Sequence, residues 1–137
     1  MSAIAIGIFA EDLMATFEHY KRAFNATLLA TANGSQGELI HLEMDIKGNK
    51  IWVQPLREVN KSSGATILGL KFHDKKELLR AYDVLKEDCV ADDGLKEHPW
   101  CTLEGFVTDK FGVTWLIGLA YRNVIPDKTI GVIENNG

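Results

Sequence analysis

The sequence lacks the features that mark several large classes of protein. Its 137 residues contain two cysteines, which are too few for a disulfide framework, and we expect both thiols to be reduced. The longest apolar run, at 113–120, is far too short to cross a bilayer. The first residues carry no basic stretch of the kind that opens a signal peptide. We therefore expect a cytoplasmic protein with no membrane partner.

Strong charge and familiar catalytic motifs are also scarce. The formal net charge is −4 and no cluster of Lys and Arg is present, so we expect no nucleic-acid partner. No glycine-rich phosphate loop follows a predicted strand, and neither GxSxG nor HExxH occurs. The length and the hydrophobic share of 46% are ordinary for one globular domain.

The first half of the chain predicts a strand, a helix and three further strands. Isoleucines alternate at positions 4, 6 and 8, as they do on a strand. Asp12 is a predicted helix N-cap, and one apolar face follows it at spacings of four, three and four: Leu13, Phe17, Tyr20 and Phe24. Strands are predicted at 27–31, 39–46 and 50–54, the last two joined by a turn at Lys47-Gly48-Asn49.

The second half repeats this order after a predicted linker at 60–64. A strand at 66–72 precedes a helix with a capping box, Asp74 and Glu77, and an apolar face of Leu78, Tyr82 and Leu85. A short strand is predicted near 89–91. The half ends in a hairpin at 100–116, WCTLEGFVTDKFGVTWL, whose turn is Asp109-Lys110-Phe111-Gly112. Each half therefore has the order strand, helix, strand, strand, strand.

This pattern, with three motifs, resembles a known superfamily. The motifs are Phe17-x-x-Tyr20-x-x-x-Phe24, Ile40-His41-Leu42-Glu43 entering Gly48-Asn49, and Trp100 followed by Thr108-Asp109-Lys110-Phe111-Gly112-Val113-x-Trp115. They are similar to the vicinal oxygen chelate superfamily of glyoxalases, bleomycin-resistance proteins and dioxygenases, and within it to the PhnB-like branch. The resemblance implies one α+β domain over 1–119. Its two βαβββ modules, around 3–57 and 64–119, have curled mixed sheets that enclose a cavity, and residues 120–137 form a C-terminal extension.

Metalloenzymes of this superfamily place their metal ligands on the cavity face of four strands. Strand alternation and the family pattern give Ala5, Gln54, Ile67 and Leu116 at those positions. Three of these side chains have no donor atom and the fourth is a neutral amide, whereas a divalent cation needs several nitrogen or oxygen ligands. We therefore expect no metal and no other cofactor, and a divalent metal is the disfavoured alternative.

The same alternation gives the cavity face a polar set, which consists of His41, Glu43, Trp52, Gln54, Lys71, Glu104 and Thr114. A mainly apolar cleft with a few convergent polar groups is typical of a small-molecule site. Trp52 offers a flat stacking surface and His41 a group that titrates near neutral pH. The expected ligand-binding residues are His41, Trp52, Gln54, Lys71, Glu104 and Thr114, and Glu43 is expected to help fix the orientation of the ligand. Lys71 either pairs with Glu43 or Glu104 or meets a charged ligand. Glu43 and His41 are the candidate catalytic residues.

Three functions are open at this point. The first is a metal-independent protein that sequesters or delivers a small molecule, as the resemblance to resistance proteins implies. The second is a lyase-, isomerase- or dioxygenase-type enzyme that uses His41 or Glu43 as a general base, or an atypical metal site. The third is a structural or interaction role, with the cavity vestigial and filled by side chains.

The resemblance also implies a homodimer, because such proteins build their site from paired modules. Trp100 and Trp115 are expected to pack in the core or at the subunit interface. His19 and His73 are expected at helix-surface or cap positions, without a role in the site.

Overall fold

The computed structural model describes residues 6–57, 66–99 and 101–120. Ala5, Trp100, the predicted linker at 60–64 and the extension from residue 121 lie outside these ranges. The first module consists of β1 (Ile6–Ala10), α1 (Leu13–Phe24), β2 (Thr27–Asn33), β3 (Leu39–Ile46) and β4 (Asn49–Pro55). The second consists of β5 (Ile67–Phe72), α2 (Lys75–Leu85), β6 (Ala91–Asp92), β7 (Lys96–His98), β8 (Cys101–Thr108) and β9 (Thr114–Leu119).

The strands form two mixed sheets, one in each module. The first sheet has the order β1-β4-β3-β2, and β1 runs parallel to β4. The second has the order β5-β9-β8-β6, with β5 parallel to β9 and with β7 also paired to β8. The predicted α+β fold with one helix and one mixed sheet in each module is confirmed.

One strand of the second module differs from its prediction. It begins at Ala91, not at 89, and a separate strand, β7, follows at Lys96–His98. The interruption arises because the Asp92 carboxylate accepts a hydrogen bond of 2.8 Å from the Gly94 backbone N–H, and Gly94 adopts a φ of 77°. That local turn takes the chain out of the ladder.

Both helices begin at the predicted aspartates. The Asp12 side chain accepts from the Ala15 N–H and the Asp74 side chain from the Lys76 N–H, each at 3.0 Å. The Glu77 carboxylate is 2.7 Å from Lys47 Nζ, so the structure gives it a role in an ion pair with the first module. Within the described ranges, no helix is long and apolar enough to cross a membrane.

Each sheet is covered by helices on one face, and strand alternation decides which residues lie there. Ile8, Leu42, Met44, Ile51 and Val53 are buried on the helix side of the first sheet, and Phe72, Val107, Trp115 and Ile117 on that of the second. The faces predicted for β4 and β9 are therefore confirmed. We call the opposite face of each sheet its open face.

The two modules meet along α1 and α2, and we call this contact the joint. Its centre is aromatic: the Phe24 ring lies 4.7 Å from the Trp115 ring, and the Tyr20 ring lies 5.4 Å from it. Trp115 is buried in this core. Ion pairs cross the rim, where Arg22 bonds Glu87 at 2.9 Å and Lys47 pairs with Glu77.

The Asp109 carboxylate lies at the centre of the joint and is fully buried. One oxygen accepts hydrogen bonds from the Tyr20 hydroxyl at 2.6 Å and from Trp115 Nε1 at 3.0 Å. The other accepts from the backbone N–H groups of Phe111 and Val113, at 2.9 and 3.0 Å. The predicted turn is present, with Gly112 at a φ of 86°. Its aspartate therefore ties the second-module hairpin to α1.

The expectation that His19 lies at the helix surface is wrong, since only 3% of the residue is exposed. The physical reason is that α1 is covered on two sides. Strands β3 and β4 of its own sheet pack on one side, and the second module packs on the other, where Phe24 meets Trp115 and His19 meets Phe111. His73 is exposed just before the N-cap of α2, as expected.

Candidate functional site

The open face of the first sheet carries a hydrogen-bonded group centred on His41. Its Nδ1 atom lies 3.0 Å from Gln54 Nε2, and its Nε2 atom lies 2.9 Å from a Glu43 carboxylate oxygen. Because an amide nitrogen can only donate, Nδ1 accepts, and the ring proton is on Nε2, where it is donated to Glu43. These contacts select one tautomer of His41.

Strand periodicity explains why these residues meet. His41 and Glu43 are two residues apart on β3, so they point to the same face. On the neighbouring strand β4, Trp52 is the register partner of Glu43, and Gln54 lies two residues further along the same face. The four side chains are all partly exposed, which leaves them within reach of a solute.

Glu43 is held in its ionised form. The hydrogen bond from His41 is the largest effect and lowers the pKa of the Glu43 carboxyl; desolvation opposes it, and Lys50 Nζ, 3.4 Å away, lowers the pKa further. The result is a carboxylate that is hydrogen-bonded to the His41 imidazole. Such a pair presents negative charge toward the open face.

Trp52 provides the flat surface of the site. Its indole is met edge-on by the Phe9 ring, with centroids 6.0 Å apart and planes at 81°, and the His41 ring is 6.2 Å away at 31°. A Cβ atom at Gly7 would overlap the indole, so only glycine allows the ring to lie across β1. Gly7 and Phe9 thus fix the position of Trp52, and neither residue carries a signal in the sequence that relates it to that ring.

The open face of the second sheet carries the other predicted residues. Lys71 pairs with Glu104, as expected, and Glu104 is only 7% exposed. The hydroxyls of Thr108 and Thr114 are 2.8 Å apart. At the break between β6 and β7, a groove of about 360 Å³ is lined by Asp93, Gly94, Lys96, His98, Glu104, Gly105, Phe106 and Leu116. The strand interruption creates this groove, which the sequence pattern did not predict.

The structure thus divides the predicted polar set between two sheets. His41, Glu43, Trp52 and Gln54 form one contiguous group on the first, and Lys71, Glu104 and Thr114 lie on the second. Their role in ligand binding stays a prediction. Phe106 and Ile67 add apolar surface to the second open face, with 39% and 49% of each residue exposed.

The positions expected to hold a metal do not suit one. Ile67 and Leu116 have no donor atom, and the amide nitrogen of Gln54 is turned toward His41. Within the part of the chain that the structure describes, no three His, Cys, Asp or Glu side chains are grouped so that they could hold an ion.

Comparison with known proteins relates this architecture to characterised folds. A PhnB protein from Bacillus cereus superposes with a TM-score of 0.76 at 18% identity, covering 87% of this chain and 100% of that one. TnmS3, an antibiotic binding protein from Streptomyces sp. CB03234, superposes with a TM-score of 0.62 at 19% identity, covering 87% and 96%. At these identities the likeness concerns the fold alone.

Sequence comparison gives a relative and a family. An uncharacterized protein of Mycobacterium bovis is 26% identical over 148 aligned residues, which cover 98% of this chain and 94% of the relative. The family model of the Glyoxalase/Bleomycin resistance protein/Dioxygenase superfamily matches residues 3–117, which contain both modules and both open faces. Since the match includes nearly every described element, the chain belongs to the glyoxalase/bleomycin resistance protein/dioxygenase superfamily.

Proposed function

We propose that this protein binds a small organic molecule on the open face of the first sheet and needs no metal to do so. The observation that carries the proposal is the contiguous group of Glu43, His41, Gln54 and Trp52, which is hydrogen-bonded internally and still partly exposed. A few fixed polar groups beside an aromatic surface are what a small-molecule site requires. The antibiotic-binding function of the structural neighbour TnmS3 supports the same class of function.

Trp52 is the stacking surface in this proposal. Its indole packs against Phe9 and occupies the space that a side chain at Gly7 would fill. Because the ring is already fixed, little side-chain freedom is lost when a ligand binds. Aromatic side chains favour flat, offset-stacked partners. The ligand class that fits best is therefore a molecule with a planar ring system.

The hydrogen-bonding groups favour a ligand that donates. Gln54 uses its amide nitrogen on His41, so its amide oxygen is directed at other partners, and Glu43 is an ionised carboxylate. Both groups accept hydrogen bonds. A planar ligand with N–H, O–H or cationic groups at its edge would satisfy them.

The enzyme alternative receives less support from this geometry. A general base needs an atom within reach of the substrate proton, and both nitrogens of His41 are engaged, one by Gln54 and one by Glu43. Glu43 in turn accepts from His41 and pairs with Lys50. The contacts are therefore those of a group that fixes orientation, which is why we favour binding over catalysis.

We also propose that the protein forms a homodimer in which Lys71, Glu104 and Thr114 contribute to the ligand site. The second open face has exposed apolar surface at Ile67 and Phe106, which a partner or a ligand would cover. Sedimentation at micromolar concentration is expected to give twice the mass of the chain. A monomer would contradict the dimer and leave the first-sheet site to be tested alone.

The test of the binding proposal combines native mass spectrometry with titration. We expect the tag-free protein to carry a copurifying organic molecule, or to bind bleomycin, which has planar heteroaromatic rings and amine donors. Trp52→Ala should weaken that binding at least about tenfold and Trp52→Phe less, because phenylalanine keeps a smaller flat ring. Leu79→Ala, an exposed position on α2, is the matched control.

Three other results would contradict the proposed site or the proposed function. Equal affinity in wild type and Trp52→Ala would remove the first-sheet site. A protein with no copurifying molecule and no affinity for bleomycin or related planar antibiotics would contradict the binding function. Turnover of a bound compound that His41→Leu abolishes, while the fold is retained, would establish the enzyme alternative.

A further inference from the structure

His19 is a buried histidine at the joint, away from both open faces. Only 3% of the residue is exposed, and among the residues that the structure describes, neither ring nitrogen has a hydrogen-bond partner. The imidazole instead touches aromatic rings: Phe111 meets it edge-on at 5.3 Å, and the Tyr20 ring is 6.0 Å away. The ring therefore packs as an apolar group.

This environment accepts a neutral imidazole far better than a charged one. Buried polar groups are normally hydrogen-bonded, and an uncompensated buried charge is much more costly than an uncompensated neutral group. A proton on His19 would place two N–H donors and a positive charge among aromatic side chains. The geometry contains no acceptor arranged for either N–H within the described chain.

Four charged groups face His19 from the surrounding elements. Lys110 and Asp109 come from the hairpin turn, Glu87 follows α2, and Arg22 is one turn along α1. The two acids attract a proton, but the Asp109 oxygens already accept from Tyr20 and three other donors, and Glu87 is bonded by Arg22. Lys110 and Arg22 repel it.

The balance of these effects favours the neutral ring. Desolvation by burial is the largest contribution that lowers the pKa of His19, and the charge of Lys110 lowers it further, while Asp109 and Glu87 act in the opposite direction. The ordinary value for histidine is 6.5. His19 in the folded protein is therefore deprotonated at neutral pH and resists protonation as the pH falls.

We propose that His19 makes the joint between the two modules sensitive to protons, so that the joint is closed when the ring is neutral and loosens on mild acidification. The consequence extends beyond one residue, because the ring lies on α1, packs against Phe111 of the hairpin turn and is influenced by the charge of Glu87 beyond α2. When these elements loosen, Tyr20 separates from Asp109. The contact that fixes the orientation of one sheet relative to the other is then weakened. The inference does not depend on the proposed ligand.

The direction of the pH effect follows from linkage. The unfolded or opened chain takes up a proton near pH 6.5, and the closed joint only at lower pH, so the open form binds more protons in the interval between. Stability is therefore complete above pH 6.5 and falls as the pH drops below it. One proton raises the unfolding equilibrium constant by at most about tenfold for each pH unit in that interval.

The experiment measures guanidinium unfolding of the full chain between pH 5 and 8 in three proteins. Wild type and His73→Gln, the matched control at an exposed histidine, should lose stability below pH 6.5. His19→Phe, which replaces the imidazole by a ring that cannot titrate, should show a clearly smaller loss over the same interval. Hydrogen exchange, corrected for its intrinsic pH dependence, should show faster opening at pH 5.5 in α1 and at 109–113 than in β3 and β4.

A direct measurement keeps the inference testable if His19→Phe does not fold. The proton on Cε1 of each histidine in the native protein is followed by NMR against pH, and the His19 signal should titrate below 6.5. A His19 midpoint at or above 6.5 would overturn the proposal. An identical pH slope in wild type and His19→Phe, or exchange that quickens equally in α1 and β3, would also overturn it.

Discussion

The joint and the open face of the first sheet use the same kinds of side chain in opposite ways. At the joint, Tyr20 and Asp109 are buried, and their hydrogen bond connects residues that are 89 positions apart in the chain. On the open face, Glu43, His41 and Gln54 are partly exposed and bond to one another on two adjacent strands. One group holds distant elements together, and the other arranges a local surface.

This difference separates stability from recognition. Losing a hydrogen bond at a buried site leaves its partner without water, whereas losing one on a half-exposed face lets water replace it. Substitutions at the joint are therefore expected to change the free energy of unfolding. Substitutions on the open face are expected to change ligand binding while the fold is kept.

Asp109→Ala should have the largest effect on stability. It removes the acceptor of both the Tyr20 hydroxyl and the Trp115 indole N–H, and we expect a loss of about 3–5 kcal/mol in the free energy of unfolding. Asp92→Ala is a demanding control, because Asp92 also accepts from a tyrosine hydroxyl, that of Tyr82, at an exposed site. It should lose less than about 1.5 kcal/mol. Denaturant unfolding at pH 7 measures both variants. Equal losses of unfolding free energy in the two would contradict the distinction between a buried and an exposed acceptor.

Tyr20→Phe should have the next largest effect, about 1–2 kcal/mol, because the change removes one of the four hydrogen bonds to Asp109. It should also alter the alkaline limit of stability. Burial, and then the charge of Asp109, raise the pKa of the Tyr20 hydroxyl well above 10, so the unfolded chain releases this proton first. Stability is thus complete below pH 10 and falls above it.

Tyr82→Phe is the comparison for that alkaline effect. Burial and the nearby Asp92 raise the pKa of Tyr82 to about 12, so both tyrosines contribute to the loss above pH 10. We expect Tyr20→Phe to reduce the slope of unfolding free energy between pH 10 and 12 more than Tyr82→Phe does. The reverse order would mean that the Tyr20 hydroxyl at the joint does not resist ionisation more strongly than the Tyr82 hydroxyl.

The sequence predicted the elements of the joint but not their connection. The helices were predictable because Asp12 and Asp74 are strong caps and the apolar spacings are regular. The role of Asp109 was not, because an aspartate is already explained as the first residue of a turn, and its partner Tyr20 is far away in the chain. His19 was missed because Thr16 and Ala23 are small and do not strengthen a second apolar stripe.

The open face was more predictable, because strand alternation is a local property. It placed His41, Glu43, Trp52 and Gln54 on one side without any knowledge of the tertiary structure. Alternation could not identify the tautomer of His41, which depends on contacts across two strands. It also gave no reason to connect Gly7 with Trp52, since their pairing follows from the parallel register of β1 and β4.

A smaller effect is expected when the His41 contact to Glu43 is removed. His41→Leu keeps side-chain bulk and deletes the donor that contributes most to lowering the pKa of Glu43, so that pKa should rise toward its ordinary value. Lys50→Ala is the control and should raise it less. Carboxyl-carbon NMR titration measures both. A lowered pKa contributes stability in full above the ordinary value of 4.5 and loses that contribution as the pH falls toward the folded-state value, so the variant should lose less stability than wild type as the pH drops below 4.5. An unchanged Glu43 midpoint would contradict the hydrogen bond.

The smallest effect on stability is expected from a pair of glycines, one on each open face. Gly7 on β1 lies under the Trp52 indole, while at Gly69 on β5 an added Cβ would lie 3.9 Å from its nearest neighbour, the Leu116 carbonyl oxygen. Neither residue has a positive φ, so alanine is compatible with the backbone at both positions. We expect Gly69→Ala to alter the free energy of unfolding by less than about 1 kcal/mol and Gly7→Ala to cost about that much, because the half-exposed indole has to move.

The two variants should differ in what happens to the proposed site. Gly7→Ala displaces the Trp52 ring, so the near-ultraviolet circular dichroism should change and affinity for bleomycin should fall toward that of Trp52→Ala. Gly69→Ala should leave both unchanged. A loss of affinity in both variants would mean that the second open face forms part of the same binding surface. A loss in neither would mean that the position of Trp52 does not matter to the ligand, because Gly7→Ala moves the indole while leaving the joint intact.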